Sequence, residues 1–175
     1  MRVLLYIAPL LLGTVIGLSA CSDQAEPSQD NNAMQDLMTK TVKEFTPHEA
    51  DQHDILLLTD YEDKFDRMSD ETEDELLKMH EAGTLSENFS LLRKRDNIRS
   101  ALLMLKDLDL KTPQGRYIQG IMYSYWEQQD QLFAQQASGQ LTTSTNQIPM
   151  QGIGDFLHAH EQLEHWREQY PALQP

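Results

Sequence analysis

Thr46-Pro47 and Thr112-Pro113 each open a stretch in which apolar residues recur every three or four positions. That pairing constrains the fold more than any other feature of the chain. A threonine hydroxyl can cap a helix, and proline is tolerated in the first turn, where its missing N–H has no intrahelical partner. Glu49 stands three residues after Thr46, the spacing of a reciprocal capping box. The helix this predicts carries Ile55, Leu58, Tyr61, Phe65 and Met68, then Leu76, Leu77 and His80, and ends at Gly83. Ser69 or Asp70 could cap a second piece, so one helix or two kinked ones fit residues 47–82 equally. Ser86 starts the next, through Phe89, Leu92, Ile98, Leu102, Leu105 and Leu108. After Thr112-Pro113, Ile118, Ile121, Met122, Tyr125, Leu132 and Phe133 share a side, and that helix closes near Ser138-Gly139. Asp155 can cap a last helix whose stripe is Phe156, Ala159, Leu163, Trp166 and Tyr170.

A shorter helix is expected ahead of these, from Met34, Leu37, Met38, Val42 and Phe45. Residues 138–154 are rich in Ser, Thr, Gly and Asn, show no helical period, and read as a long loop. No run alternates as a strand does, and no repeat of fixed period appears. The expected architecture is all-α, a helical bundle of about four to five helices.

The first 20 residues belong to a different kind of segment. Met1-Arg2 is a short cationic start, and Val3 to Leu18 is almost unbroken apolar sequence. A permanent membrane helix needs about 20 apolar residues, and Pro9, Gly13 and Gly17 weaken this shorter run. With small Ser19-Ala20 behind it, the pattern fits a secretory signal peptide over 1–20.

Leu18-Ser19-Ala20-Cys21 resembles the lipobox of bacterial lipoproteins. The resemblance covers the signal and the cysteine alone; the rest of the chain resembles no family on its residues. It implies cleavage before Cys21 and acylation of that thiol by a diacylglycerol, with a further acyl chain such as palmitate on the new N-terminus in many bacteria. It also implies sorting to the outer membrane, facing the periplasm, because Ser22 rather than Asp follows the cysteine. Two or three acyl chains hold a protein on a bilayer effectively for good, where one binds marginally. Cys21 is the chain's single cysteine, so no intramolecular disulfide can form. Residues 21–32 then form the lipidated cysteine and a flexible tether, Ser22 to Asn32 reaching about 18 Å as a coil. Residues 33–175 form an acidic helical domain.

Without residues 1–20 the chain keeps 13 Lys plus Arg (14 less Arg2) against 28 Asp plus Glu, a formal −15. Nucleic-acid phosphates require basic surface, so nucleic acid is not an expected partner. An anionic bilayer is disfavoured for the same reason, which leaves the lipid on Cys21 as the membrane contact. A protein partner, basic in character, fits this charge.

The last helix offers the sequence's one metal-like cluster, His158, His160, Glu161, Glu164 and His165. Helical phase sets His158, Glu161 and His165 opposite the apolar stripe, so these three are expected to face solvent and to bind divalent metal no better than weakly. Glu161 and His165 have the i, i+4 spacing of paired ligands, but HExxH and HxxEH both fail here. No GxSxG elbow or GxxxxGK[ST] loop is present, and Gly152-Ile153-Gly154 lacks the third glycine of a dinucleotide loop. Neither catalytic residues nor a cofactor are therefore expected. Tyr123 and Trp126 flank the stripe of their helix as an exposed Tyr beside a half-exposed Trp, the composition of a partner-binding hot spot. A wide apolar face on a central helix would produce the same spacing. Finally, a hairpin turning at Gly83-Thr84-Leu85-Ser86 would set Glu71 to Glu75 beside Arg93, Lys94, Arg95 and Arg99.

Two function classes remain. The first is an outer-membrane-anchored periplasmic lipoprotein acting through protein contacts, as an assembly or secretion accessory or as an inhibitor or immunity protein. The second is a periplasmic metal-binding or chaperone-like helical protein.

Overall fold

A computed structural model describes residues 40–141 and 151–173. They form four α-helices: α1 (Asp51–Glu81), α2 (Glu87–Lys106), α3 (Pro113–Ala137) and α4 (Ile153–Glu168), followed by a 3-10 turn at Pro171–Leu173. The all-α bundle expected from apolar spacing is what these residues build. Among them no helix is long and apolar enough to cross a membrane. The expected signal peptide and tether, Cys21, Met34 to Met38 and most of the expected long loop lie outside the described residues.

The starts of α2 and α3 are where their cap residues place them. Ser86 Oγ accepts from Phe89 N at 3.2 Å, and Thr112 Oγ1 accepts from Gly115 N at 2.9 Å with Pro113 in the first turn. α1 ends at a left-handed Gly83 (φ 67°), beyond which Thr84 N–H reaches back to the Met79 carbonyl at 2.9 Å. Only glycine enters that region at low cost.

Boundaries differ from expectation at several points. α2 ends at Lys106, short of Leu108, and α4 at Glu168, short of Tyr170. Residues 40–45 carry no regular secondary structure, so Val42 and Phe45 are not part of a helix. Thr46 does not cap α1: the cap position falls to Ala50, four residues on, with no side-chain cap, and the Asp51 carboxylate reaches back to accept from His48 N at 2.8 Å. α4 begins at Ile153 with Gly152 in the cap position, so Asp155 sits in the first turn instead. Residues 51–81 form one uninterrupted helix, about 46 Å long. Ser69 and Asp70 therefore lie inside α1 and cap no second piece; the Thr72 hydroxyl donates to Met68 O four residues back.

α3 packs against all three other helices, α2 and α4 most extensively. Its Ile118, Met122, Tyr125, Trp126 and Phe133 are buried, and they meet Ile55 and Leu58 of α1, Ala101 and Leu105 of α2, and Leu163 and Trp166 of α4 in one core. Burial of each such side chain contributes roughly 1.5–3 kcal/mol before chain entropy is subtracted.

Asp54 ties α1 to the start of α3. The residue is fully buried (0% exposed), and its carboxylate accepts from Lys111 N at 3.0 Å and from Thr112 N at 2.7 Å. His53 Nδ1 lies 3.0 Å from its other oxygen. Burial by itself would raise this carboxyl's pKa, but the Lys111 amide, the His53 ring and Thr112 together hold it below the usual carboxylate range. Gly115 is required beside it, since a Cβ there would fall 2.6 Å from Asp54 Oδ2.

The α1–α2 hairpin forms as expected, but of the four basic residues anticipated beside Glu71 to Glu75 only Arg93 is seen to pair there. Arg93 meets Glu75 at 2.6 Å, and Asn97 Nδ2 donates to Ser69 Oγ at 3.0 Å in the same register. Arg95 and Arg99, however, turn to Asp130 on α3, at 2.7 and 3.0 Å. Burial opposes ionisation of Asp130, yet the two guanidiniums outweigh it and lower its pKa. Asp130→Ala is expected to cost about 1–2 kcal/mol in urea unfolding, because Arg95 and Asp130 are each only 23% exposed. Glu75→Ala should cost under about 1 kcal/mol, its pair being more exposed. Equal losses would show that burial does not separate the two pairs.

Candidate functional site

α4 is held on three sides, which decides how its polar residues face. Beyond α3 and α1, the irregular segment 40–45 runs along it. Gln162, fully buried, donates through Nε2 to Lys43 O at 2.7 Å and accepts from Lys43 N at 2.8 Å. One amide side chain thus satisfies both polar groups of a residue that has no strand partner. Lys40 pairs with Asp155 near the start of α4, and the Lys43 ammonium lies 4.9 and 4.6 Å from the Phe45 and Tyr117 ring centroids.

This triple packing widens the buried face and changes the assignment of the histidines. His158 does not face solvent. It is 5% exposed, with Nε2 3.3 Å from the Tyr117 hydroxyl, and Nδ1 has no partner among the described residues. Glu161 is exposed, and His165 is half-buried with Nε2 3.4 Å from Glu44 Oε1. The trio His158, Glu161 and His165 therefore converges on no common point. His48 and His53 are engaged at the start of α1, the former accepting from Ala50 N and the latter beside Asp54.

A different trio does converge. His160 and Glu164, one turn apart on α4, meet Glu62 of α1, with one candidate ligand atom from each lying within 4.8 Å of the others. His160 Nδ1 is 3.1 Å from Glu62 Oε1. Glu62 forms the floor at 19% side-chain exposure, while His160 and Glu164 are 53% and 46% exposed at the rim. Arg167 closes the far side, donating from Nη1 to Glu164 Oε1 at 2.7 Å. Burial raises the pKa of Glu62, against the opposing pull of His160 and Arg167. The i, i+4 pair His160–Glu164 is visible in the sequence, but nothing in the sequence places Glu62 against it.

The Tyr123–Trp126 surface does not exist as expected. Trp126 is 8% exposed and packs between Phe65, Tyr125 and Phe156 at centroid distances of 4.6, 4.8 and 5.4 Å. Tyr123 is half-buried against the same core. Trp126 is thus a core residue, as the wide face of a central helix demands. A 340 Å³ groove between α1 and α2 is lined by Met68, Glu71, Thr72, Glu75, Arg93 and Asn97 among others.

No protein-family model, no curated protein and no solved structure matches this chain.

Proposed function

We propose that this is a lipid-anchored periplasmic protein, held on the outer membrane through Cys21, whose helical domain acts by docking a basic protein partner along α1. The observation that carries the docking half is the charge on that helix. α1 has 12 Asp or Glu against 3 Lys or Arg, a net −9 in a chain of formal −14. Asp63, Asp66, Asp70, Glu73 and Asp74 are exposed and recur at the three-to-four spacing that puts them along one side of the helix. Like charges at that spacing each cost a helix a few tenths of a kcal/mol, and an oppositely charged partner offsets the cost while speeding encounter. Assembly or secretion accessory, and inhibitor or immunity protein, are the roles that suit such a surface on such an anchor.

The test is cross-linking at Asp63, exposed on α1, in membranes carrying the full chain, next to the triple variant Asp66→Lys, Asp70→Lys and Glu73→Lys. A basic partner should cross-link to the parent chain and dissociate at high salt, and the variant should lose it while melting no lower than the parent. No cross-link to the parent chain, or undiminished cross-linking in the variant, would show that these carboxylates hold no partner.

A further inference from the structure

We infer that Glu62, His160 and Glu164 form a divalent transition-metal site joining α1 to α4, a role separate from partner docking on the outer side of α1. One imidazole and two carboxylates are a ligand set that suits first-row divalent ions such as zinc or manganese. Bonds of about 2.1 Å give neighbouring ligand atoms a separation of roughly 3.0–3.4 Å in octahedral or tetrahedral coordination. His160 Nδ1 and Glu62 Oε1, at 3.1 Å, already stand at that separation. All three ligand atoms lie within 4.8 Å of one another. The remaining closure falls to Glu164, a half-exposed side chain on the last turns of α4 whose rotation disturbs no core packing.

Charge and access agree with this assignment. Two carboxylates and a neutral imidazole would neutralise a dication, while solvent reaches the rim through His160 and Glu164. Arg167 now supplies the positive charge, holding Glu164 at 2.7 Å. A metal ion and Arg167 therefore compete for the same carboxylate, and this competition distinguishes a built site from a generally acidic surface.

The experiment titrates zinc into the untagged full chain in detergent, after chelator treatment, by competition with a chromophoric chelator and by thermal unfolding. One equivalent should bind at micromolar Kd and raise Tm, since the ion bridges two helices of the folded state only. His160→Asn and Glu62→Gln should each weaken binding at least tenfold, and His165→Ala should leave it unchanged. Arg167→Gln should tighten binding several-fold by releasing Glu164, a gain that a misfolded variant could not produce. Binding that survives both His160→Asn and Glu62→Gln would overturn the site, as would no binding to the parent chain or to Arg167→Gln.

Discussion

Asp54→Ala is expected to destabilise the domain by about 3–5 kcal/mol, the largest loss from any single polar side chain described here. The carboxylate is fully buried and accepts from two backbone amides, Lys111 N and Thr112 N, directly before α3. Alanine would leave both amides facing a void. A hydrogen bond to a charged group contributes about 1.5–3 kcal/mol, and a buried donor without a partner costs about 1–3 kcal/mol more. The loss should appear as a drop of roughly 10 °C or more in Tm for a domain of this size. Asp54→Asn, which keeps an acceptor oxygen without the charge, should fall between alanine and the parent.

The pH dependence has a definite sign. Asp54's pKa is lowered in the folded state, so its stabilisation is complete above the unfolded carboxylate value of about 3.9. It disappears as pH falls through the lower folded value. The parent and Asp54→Asn curves should therefore approach each other in strong acid and separate toward neutrality. Gly115→Ala supplies an independent check, because its Cβ would press on Oδ2 from 2.6 Å. An Asp54→Ala loss below about 1 kcal/mol in urea unfolding would show that the buried carboxylate does not hold α1 to α3.

Cys21→Ser is expected to abolish membrane anchoring outright. Serine cannot form the thioether that would carry the diacylglycerol, and the lipobox cleavage proposed before residue 21 depends on that modification. The variant should accumulate with residues 1–20 attached, take up no labelled fatty acid and show the precursor's mass. Each buried methylene of an acyl chain contributes about 0.8 kcal/mol, so losing two or three chains removes retention altogether rather than weakening it. Normal cleavage to a soluble product would sink the lipoprotein proposal. It would leave the helical fold and the α1 charge untouched.

Helix identity was legible where a boundary has a local chemical cause. Ser86, Thr112-Pro113 and Gly83 each act on their own turn, and each does what its residue type predicts. Where packing decides, the sequence is silent. His158 lies between Leu157 and Ala159, and its burial follows from α3, α1 and segment 40–45 all closing on α4. A stripe drawn for a helix packed on one side places it in solvent. Arg95 and Arg99 illustrate the same limit, since counting outward from the turn locates α1 but not α3. Arg93 follows the count to Glu75; its neighbours, a few residues on, find Asp130 instead. The Glu62–His160–Glu164 trio combines both cases, with its i, i+4 half local and its third member supplied by tertiary structure.

The grip of Gln162 on Lys43 also determines how the domain would respond to being pulled. Under the anchor proposed at Cys21, tension arrives from the N-terminal end, and among the described residues it meets 40–45 before α1. The holds there include the Lys40–Asp155 pair, the two Gln162 hydrogen bonds and the Lys43 cation beside Phe45 and Tyr117. All of these fasten to α3 or α4 or to the segment itself, none to α1. Strain is thereby passed to the C-terminal half of the chain, bypassing the long acidic helix that follows in sequence. Under that anchor, segment 40–45 would peel from α4 before load reached α1.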